Sequence, residues 1–324
     1  MKELISKIIH SILTGQDYRT YVLATINKRF IDKVQELTSE IFEYKRSGDN
    51  WLEKLLDDTY EKKGKENKFK LLWFGGLNDK TVKNMTGGTS KKEVCLDLGK
   101  KNIEALRLLL KEFESGENLY QIKIIIKKDV ERVELDDVES LFFVNIISAM
   151  KLTIQGGAWS EVGKKTEKGL LYTIFRLLKV PEDDYVLIFD EMKKKGLVEN
   201  REIDAIVFNR DKEPLTVELK LLGIGNPEIG DEALARKVDL FLIDRLTEMM
   251  KRESEKIGVK VIEFRQENPL MEIYKFFTSK NVKCSPPEST TTKQLEGMIN
   301  EIIDRWRESK EELRIVKKLK ELTK

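Results

Sequence analysis

The run from Arg201 to Arg236, REIDAIVFNRDKEPLTVELKLLGIGNPEIGDEALAR, decides the fold. Asp204 sits in an apolar stretch made of Ile203, Ala205, Ile206, Val207 and Phe208. A turn follows, with Asn209, Arg210, Asp211 and Pro214, and then a second β-rich run from Leu215 to Leu222. Successive side chains of a strand point to opposite faces, so Glu218 and Lys220 share one face and Leu219 and Leu221 take the other. Pairing the two runs as a hairpin brings Asp204 toward the face of Glu218 and Lys220.

An Asp, a Glu and a Lys on one sheet edge suit metal-assisted cleavage of a phosphodiester. The carboxylates can hold a divalent cation, and a lysine beside them can orient the attacking water or help to deprotonate it. The main-chain carbonyl of Leu219 lies between the two side chains as a further ligand. Glu167, on the helix before the hairpin, is placed to reach a metal or its water. The same residues also fit a solvated strand face on which Glu218 and Lys220 form a charge pair.

Composition narrows the chemistry. The chain has 324 residues, enough for one large domain or two ordinary ones, and 36% of them are charged at a net charge of +2. Overall basicity therefore gives no nucleic-acid signal, and any basic surface must be local. With one histidine (His10) and two cysteines (Cys95, Cys284) far apart, zinc sites and Ser–His or Cys–His triads are excluded. A metal would be held by oxygen, which points to Mg²⁺ or Mn²⁺. Lys7 and His10 interrupt the N-terminal apolar stretch, and neither a signal peptide nor a membrane span is expected; a cytoplasmic protein is.

Outward from the hairpin, residues 1 to about 65 read as helices by the spacing of Leu4, Ile8, Ile9 and Ile12 and of Tyr21, Ile26, Phe30, Val34, Leu37 and Ile41. The Gly-rich run 71–99 reads as a surface loop, with Asn78, Lys80, Lys83, Asn84, Thr89, Lys91 and Lys92 as candidate DNA contacts. A helix at 101–113, a strand at 120–126 and a helix at 136–150 follow. Gln155-Gly156-Gly157-Ala158-Trp159-Ser160 marks a boundary, with Ser160 capping a new helix to about Lys179. Residues 1–155 then form a mainly helical region and 156–324 the catalytic core. Beyond the hairpin, a helix is expected at 232–251, a strand at 258–264, a helix at 269–279 and a long terminal helix. The order from 159 onward implies a mixed α/β sheet with helices on both sides.

Asp204, Glu218 and Lys220 resemble the signature of the PD-(D/E)XK nuclease superfamily, with Ile203 in place of its proline. The blocks GGAWSEVGKKTEKGLL (156–171), REIDAIVF and VELKLLGIGNPEIGDEALAR resemble the type II restriction endonucleases of the CfrBI-like family over about 80 residues. The resemblance implies a PD-(D/E)XK core, a Mg²⁺-dependent homodimer that cuts both strands of a short palindromic DNA site, and a cognate DNA methyltransferase in the same system. By position, Glu167 resembles the carboxylate that many of these nucleases carry on the first core helix. Ser160, Lys164 and Lys168 flank that carboxylate and are placed to grip phosphates. Asn226 and Arg236, with Glu228, fall where a loop supports the site or reaches DNA. A structure-specific repair nuclease and a non-catalytic DNA-binding protein remain open at this point.

Overall fold

A computed structural model describes residues 2–48, 51–87, 91–114, 122–189, 203–221 and 238–306. The chain forms two compact units, one of Met1–Val22 with Ser160–Lys324 and one of Leu23–Trp159. The first 22 residues group with the C-terminal unit.

Among its described residues the Leu23–Trp159 unit is mainly helical. It contains most of α2 (Arg19–Arg46), then α3 (Trp51–Glu61), α4 (Lys65–Phe74), α5 (Asp79–Met85) and α6 (Lys92–Glu114). A two-stranded ribbon follows, β1 (Ile125–Lys128) against β2 (Glu131–Glu134), and then the first part of α7 (Asp137–Leu177). Amphipathic spacing explains the core: Leu37, Ile41, Trp51, Leu55, Leu56, Leu71, Phe74, Phe142 and Ile146 gather in one buried cluster. By length and composition α7 holds a window apolar enough to cross a membrane, with a mean hydropathy of 1.3. Of that window 29% is buried, and Phe142, Phe143, Ile146, Ala149 and Met150 of α7 lie in the cluster.

Three readings change here. Residues 78–85 are a capped helix rather than a loop, since the Asn78 side chain accepts the N–H of Thr81 at the start of α5. The strand expected at 120–126 is shifted, with β1 at Ile125–Lys128. No break occurs at 155–160: α7 runs unbroken from Asp137 to Leu177, so Ser160 is an interior residue and not a cap. Gly156 and Gly157 cost a helix only about 1 kcal/mol each relative to alanine, which a long helix absorbs.

In the other unit the sheet order is β3-β4-β5-β6-β7. β3 (Tyr185–Leu187), β4 (Ala205–Phe208) and β5 (Pro214–Lys220) are antiparallel neighbours, while β6 (Leu240–Ile243) and β7 (Lys260–Glu263) run parallel to β5. The hairpin reads as the sequence implies. Its turn is an Asn209 motif, whose Oδ1 accepts the N–H of Asp211 at 2.9 Å and of Glu213 at 2.8 Å. Asp239 pins the next register, its Oδ2 accepting both N–H and Oγ1–H of Thr216 at 2.7 Å.

β6 overturns part of the helix expected at 232–251. Leu240, Phe241, Leu242 and Ile243 are all buried, as a central strand covered on both faces requires. The helix there is shorter, α8 (Glu248–Ile257), between a Thr247 N-cap and a left-handed Gly258 C-cap. α8 covers one face of the sheet, with Met250 against Phe241 and Ile243. Elsewhere Phe175 of α7 meets Tyr185 of β3 at 4.7 Å and Phe277 of α9 (Pro269–Ser279) at 6.3 Å between ring centroids. α1 (Lys2–Leu13) lies along α10 (Thr292–Arg305), and Gly169 of α7 is in close contact with Ile5, Ile9 and Trp306.

Candidate active site

The sheet register carries Asp204 to the edge of β5. Ala205 pairs with Val217, so Asp204 stands one residue before that pair, beside Glu218. Its backbone is held at both ends: its N–H donates to the Val217 carbonyl at 2.9 Å, and its carbonyl accepts from Ile188 at 2.8 Å. Oδ2 of its side chain accepts the Leu219 N–H at 2.9 Å. Asp204 is therefore locked against the middle of the Glu218-Leu219-Lys220 segment.

Glu218 is fully buried, and the Lys220 ammonium lies 3.5 Å from its Oε1. Period two puts the two side chains on one face, so the pair predicted on the strand forms. Glu167 joins them from α7, with Oε1 accepting the Leu221 N–H at 3.3 Å. Burial, and then the negative charge of Asp204, push its carboxyl up to about 7, against the pull of Leu221 N–H, Lys220 and Lys168. Glu167 consequently holds a proton for part of the time at neutral pH.

Lys168, the next residue on α7, has a different partner from the one its sequence suggested. Its Nζ donates to Asp204 Oδ1 at 2.7 Å and to the Asp204 carbonyl at 3.2 Å. The pair is well shielded, with side-chain exposures of 12% and 8%. Each carboxylate oxygen of Asp204 thus has a donor, one from a lysine and one from the backbone.

Sequence reading missed a neighbouring group. Asp244 follows β6, its N–H 3.4 Å from the Lys220 carbonyl, and is buried in an ion pair with Arg265 at 2.9 Å. Arg265 follows β7 and reaches back to the Gly15 carbonyl at 3.2 Å. Tyr18 is buried at the same place: burial first, and then the charges of Asp244 and Glu167, hold its hydroxyl well above its ordinary range. Charged residues at the carboxyl ends of parallel strands are the signal that finds them. It is invisible while 240–243 is read as helix.

The remaining candidates are dispersed. Lys164 is exposed on α7, and nothing is described of the Ser160 side chain. Asn226, Glu228 and Arg236 lie outside the described residues, as does Thr89. Lys80 and Asn84 are exposed on α5, and Lys91 is exposed just before α6. Asn78 is engaged as a cap, and Lys83 pairs with Asp79 at 2.6 Å. The Lys92 ammonium binds the carbonyls of Tyr60 and, at 2.6 Å, Lys62, where α3 ends.

The candidate ligands are all oxygen: the carboxylates of Asp204, Glu218 and Glu167 and the Leu219 carbonyl. That chemistry fits a hard divalent cation such as Mg²⁺. Among the described residues no three His, Cys, Asp or Glu side chains stand in a ligating cluster. With Lys168 and the Leu219 N–H on its two oxygens, Asp204 is turned to those donors instead.

Comparison with curated proteins gives no match, and neither does comparison with solved structures. A family model described as CfrBI restriction endonuclease matches residues 2–251, which takes in the whole of the helical unit, Glu167, the hairpin and Asp244. By that match, extending over well more than half of its length, the chain belongs to the CfrBI restriction endonuclease family.

Proposed function

We propose that this restriction endonuclease is a type II, Mg²⁺-dependent enzyme in which Mn²⁺ can substitute, built on a PD-(D/E)XK core. Asp204, Glu218, Glu167 and the Leu219 carbonyl hold the cation, and Lys220 acts on the reacting water. The observation that supports this most is the 2.9 Å bond from Leu219 N–H to Asp204, which fastens the hairpin's Asp to the Glu-x-Lys segment. It acts in the cytoplasm as a homodimer on double-stranded DNA, alongside a cognate methyltransferase. A two-fold dimer matches a palindromic site, since each protomer then meets the same bases on opposite strands.

Hydrolysis forms one bond from a water oxygen to phosphorus and breaks another P–O bond, the water losing a proton and the leaving oxygen gaining one. A bound divalent cation supplies charge to the phosphate oxygens and makes water more acidic. Lys220, held beside Glu218, points a compact cation at the same face and can donate to a phosphate oxygen or fix the attacking water. Glu167, whose carboxyl is raised to about 7 by burial and then by the charge of Asp204, would hold the cation as the carboxylate.

Digestion of a long duplex of known sequence with Mg²⁺ tests the reading. Discrete bands whose mapped ends share one short palindrome are expected. A smear, or cutting confined to branched junctions, would instead indicate a structure-specific nuclease.

A further inference from the structure

We propose that Lys168 is a positioning residue that competes with the divalent cation for Asp204 and releases it when DNA phosphate draws the ammonium away. The inference rests on the metal-site reading above and adds a regulation to it.

Lys168 and Asp204 form the closest charge pair of the site, at 2.7 Å, with a second bond from the same ammonium to the Asp204 main-chain carbonyl. The pair is shielded from water, so its attraction is little screened. A cation reaching Asp204 must displace the Leu219 N–H, the lysine, or both from the carboxylate. The N–H is fixed in the sheet. The ammonium rides on a flexible four-carbon stem on a side chain that is 12% exposed, so it is the part that can leave.

Leaving without a new partner strands a cation, which is costly in a shielded site. A phosphodiester arriving beside Asp204 supplies that partner. DNA binding then frees Asp204 for the cation, and by linkage cation binding strengthens DNA binding to the same degree. The device keeps the nuclease poorly loaded with metal until substrate is in place.

The test is Mn²⁺ binding by the full-length protein without DNA, followed by loss of the free-ion EPR signal. Lys168→Met should bind Mn²⁺ more tightly than wild type, by about tenfold or more, the scale on which residues behind a ligand tune affinity. Lys168→Arg, which keeps the cation, should stay near wild type. Unchanged or weaker binding by Lys168→Met, at a site that Asp204→Asn abolishes, overturns the proposal and leaves the metal site standing. Mn²⁺ binding that Asp204→Asn does not affect overturns the metal-site reading and this inference with it. Should Lys168→Met fail to fold, the wild-type ammonium resonance of Lys168, assigned from the Arg variant, answers the same question. Slow solvent exchange that is lost on adding Mg²⁺ supports the competition, and persistence at saturating Mg²⁺ overturns it.

Discussion

Each unit of this protein buries a carboxylate beside a lysine, and the two sites differ in how completely their valences are used. In the helical unit Glu139 accepts from Lys45 on both oxygens, at 2.7 and 2.8 Å, from the Trp51 indole, and from the Asp136 N–H at 2.8 Å. Asp136 returns the favour by capping the Glu139 N–H at 2.8 Å, so the start of α7 is closed by reciprocal bonds. At the hairpin, Asp204 has its two donors, but Glu167 accepts one long bond and is driven toward protonation by burial and then by the charge of Asp204. A saturated network fixes a fold. An arrangement of crowded, partly satisfied carboxylates is held in place by the surrounding sheet and is ready to take a cation.

Opposite phenotypes are the most severe way to break this contrast. Asp204→Ala should lower single-turnover cleavage by about 10⁴-fold, the scale seen when a member of a catalytic unit is removed. Its stability should fall by less than that of Glu139→Ala, because relieving Glu167 of a repelling neighbour offsets part of the cost of leaving Lys168 and the Leu219 N–H without their acceptor. Glu139→Ala should instead destabilise the helical unit by about 3–5 kcal/mol, since it leaves Lys45 and the Trp51 N–H without their acceptor. Thermal melts beside cleavage assays check both arms. If Asp204→Ala unfolds the protein while Glu139→Ala leaves its melt unchanged, the distinction is wrong.

The legibility of the two sites in the sequence differs for related reasons. Asp204, Glu218 and Lys220 are readable because they lie on one hairpin, where period two and a short Asn209 turn fix their faces locally. β6 is not, because Leu240–Ile243 is apolar on both faces, and Val238, Leu242 and Leu246 also recur at the spacing of a helix face. Losing β6 hides Asp244, and with it the Arg265 pair that borders Lys220. The unbroken α7 is missed because Gly156-Gly157 reads as punctuation, whereas the helix passes through it. The Lys168–Asp204 bond joins residues 36 apart across a helix-to-strand packing contact, which no local pattern encodes. For the same reason Lys92 looks like a phosphate contact in sequence and proves to be tied to the end of α3.

A smaller effect sharpens the contrast through pH. The Glu167 carboxyl is raised from 4.5 to about 7, so the folded protein binds its proton more tightly than the unfolded chain does. The resulting stability is fully present below about 4.5 and is lost as pH rises through about 7, a change of at most about 3 kcal/mol. In chelator, Glu167→Gln should flatten this dependence and melt higher than wild type at pH 8, with little difference at pH 4.5. Melts of the two proteins across that range decide it, and an equally steep wild-type and variant profile would show that Glu167 is not the group responsible.

The smallest effect asks how tightly the helix that carries Glu167 and Lys168 is held. On α7 a Cβ added to Gly169 would lie 3.2 Å from Ile5 Cγ2 and 3.3 Å from Ile9 Cδ1 and Trp306 Cζ3, while at Gly163 it would meet nothing within 4 Å. Replacing a helical glycine with alanine gains up to about 1 kcal/mol, so Gly163→Ala should raise the melting temperature slightly. At Gly169 the same gain is set against overpacking of about 1–3 kcal/mol, for a net loss of about 1 kcal/mol. The strain cannot relax by moving a flexible tip alone, because the contacts come from α1 and from an indole stacked on Tyr172. It must shift the turn of α7 that includes Lys168, which spans 2.7 Å to Asp204. Gly169→Ala should therefore slow cleavage several-fold at saturating Mg²⁺, whereas Gly163→Ala should not. Cleavage unchanged in both variants would mean that Asp204 and the sheet alone set the geometry, and that α7 only delivers its side chains to them.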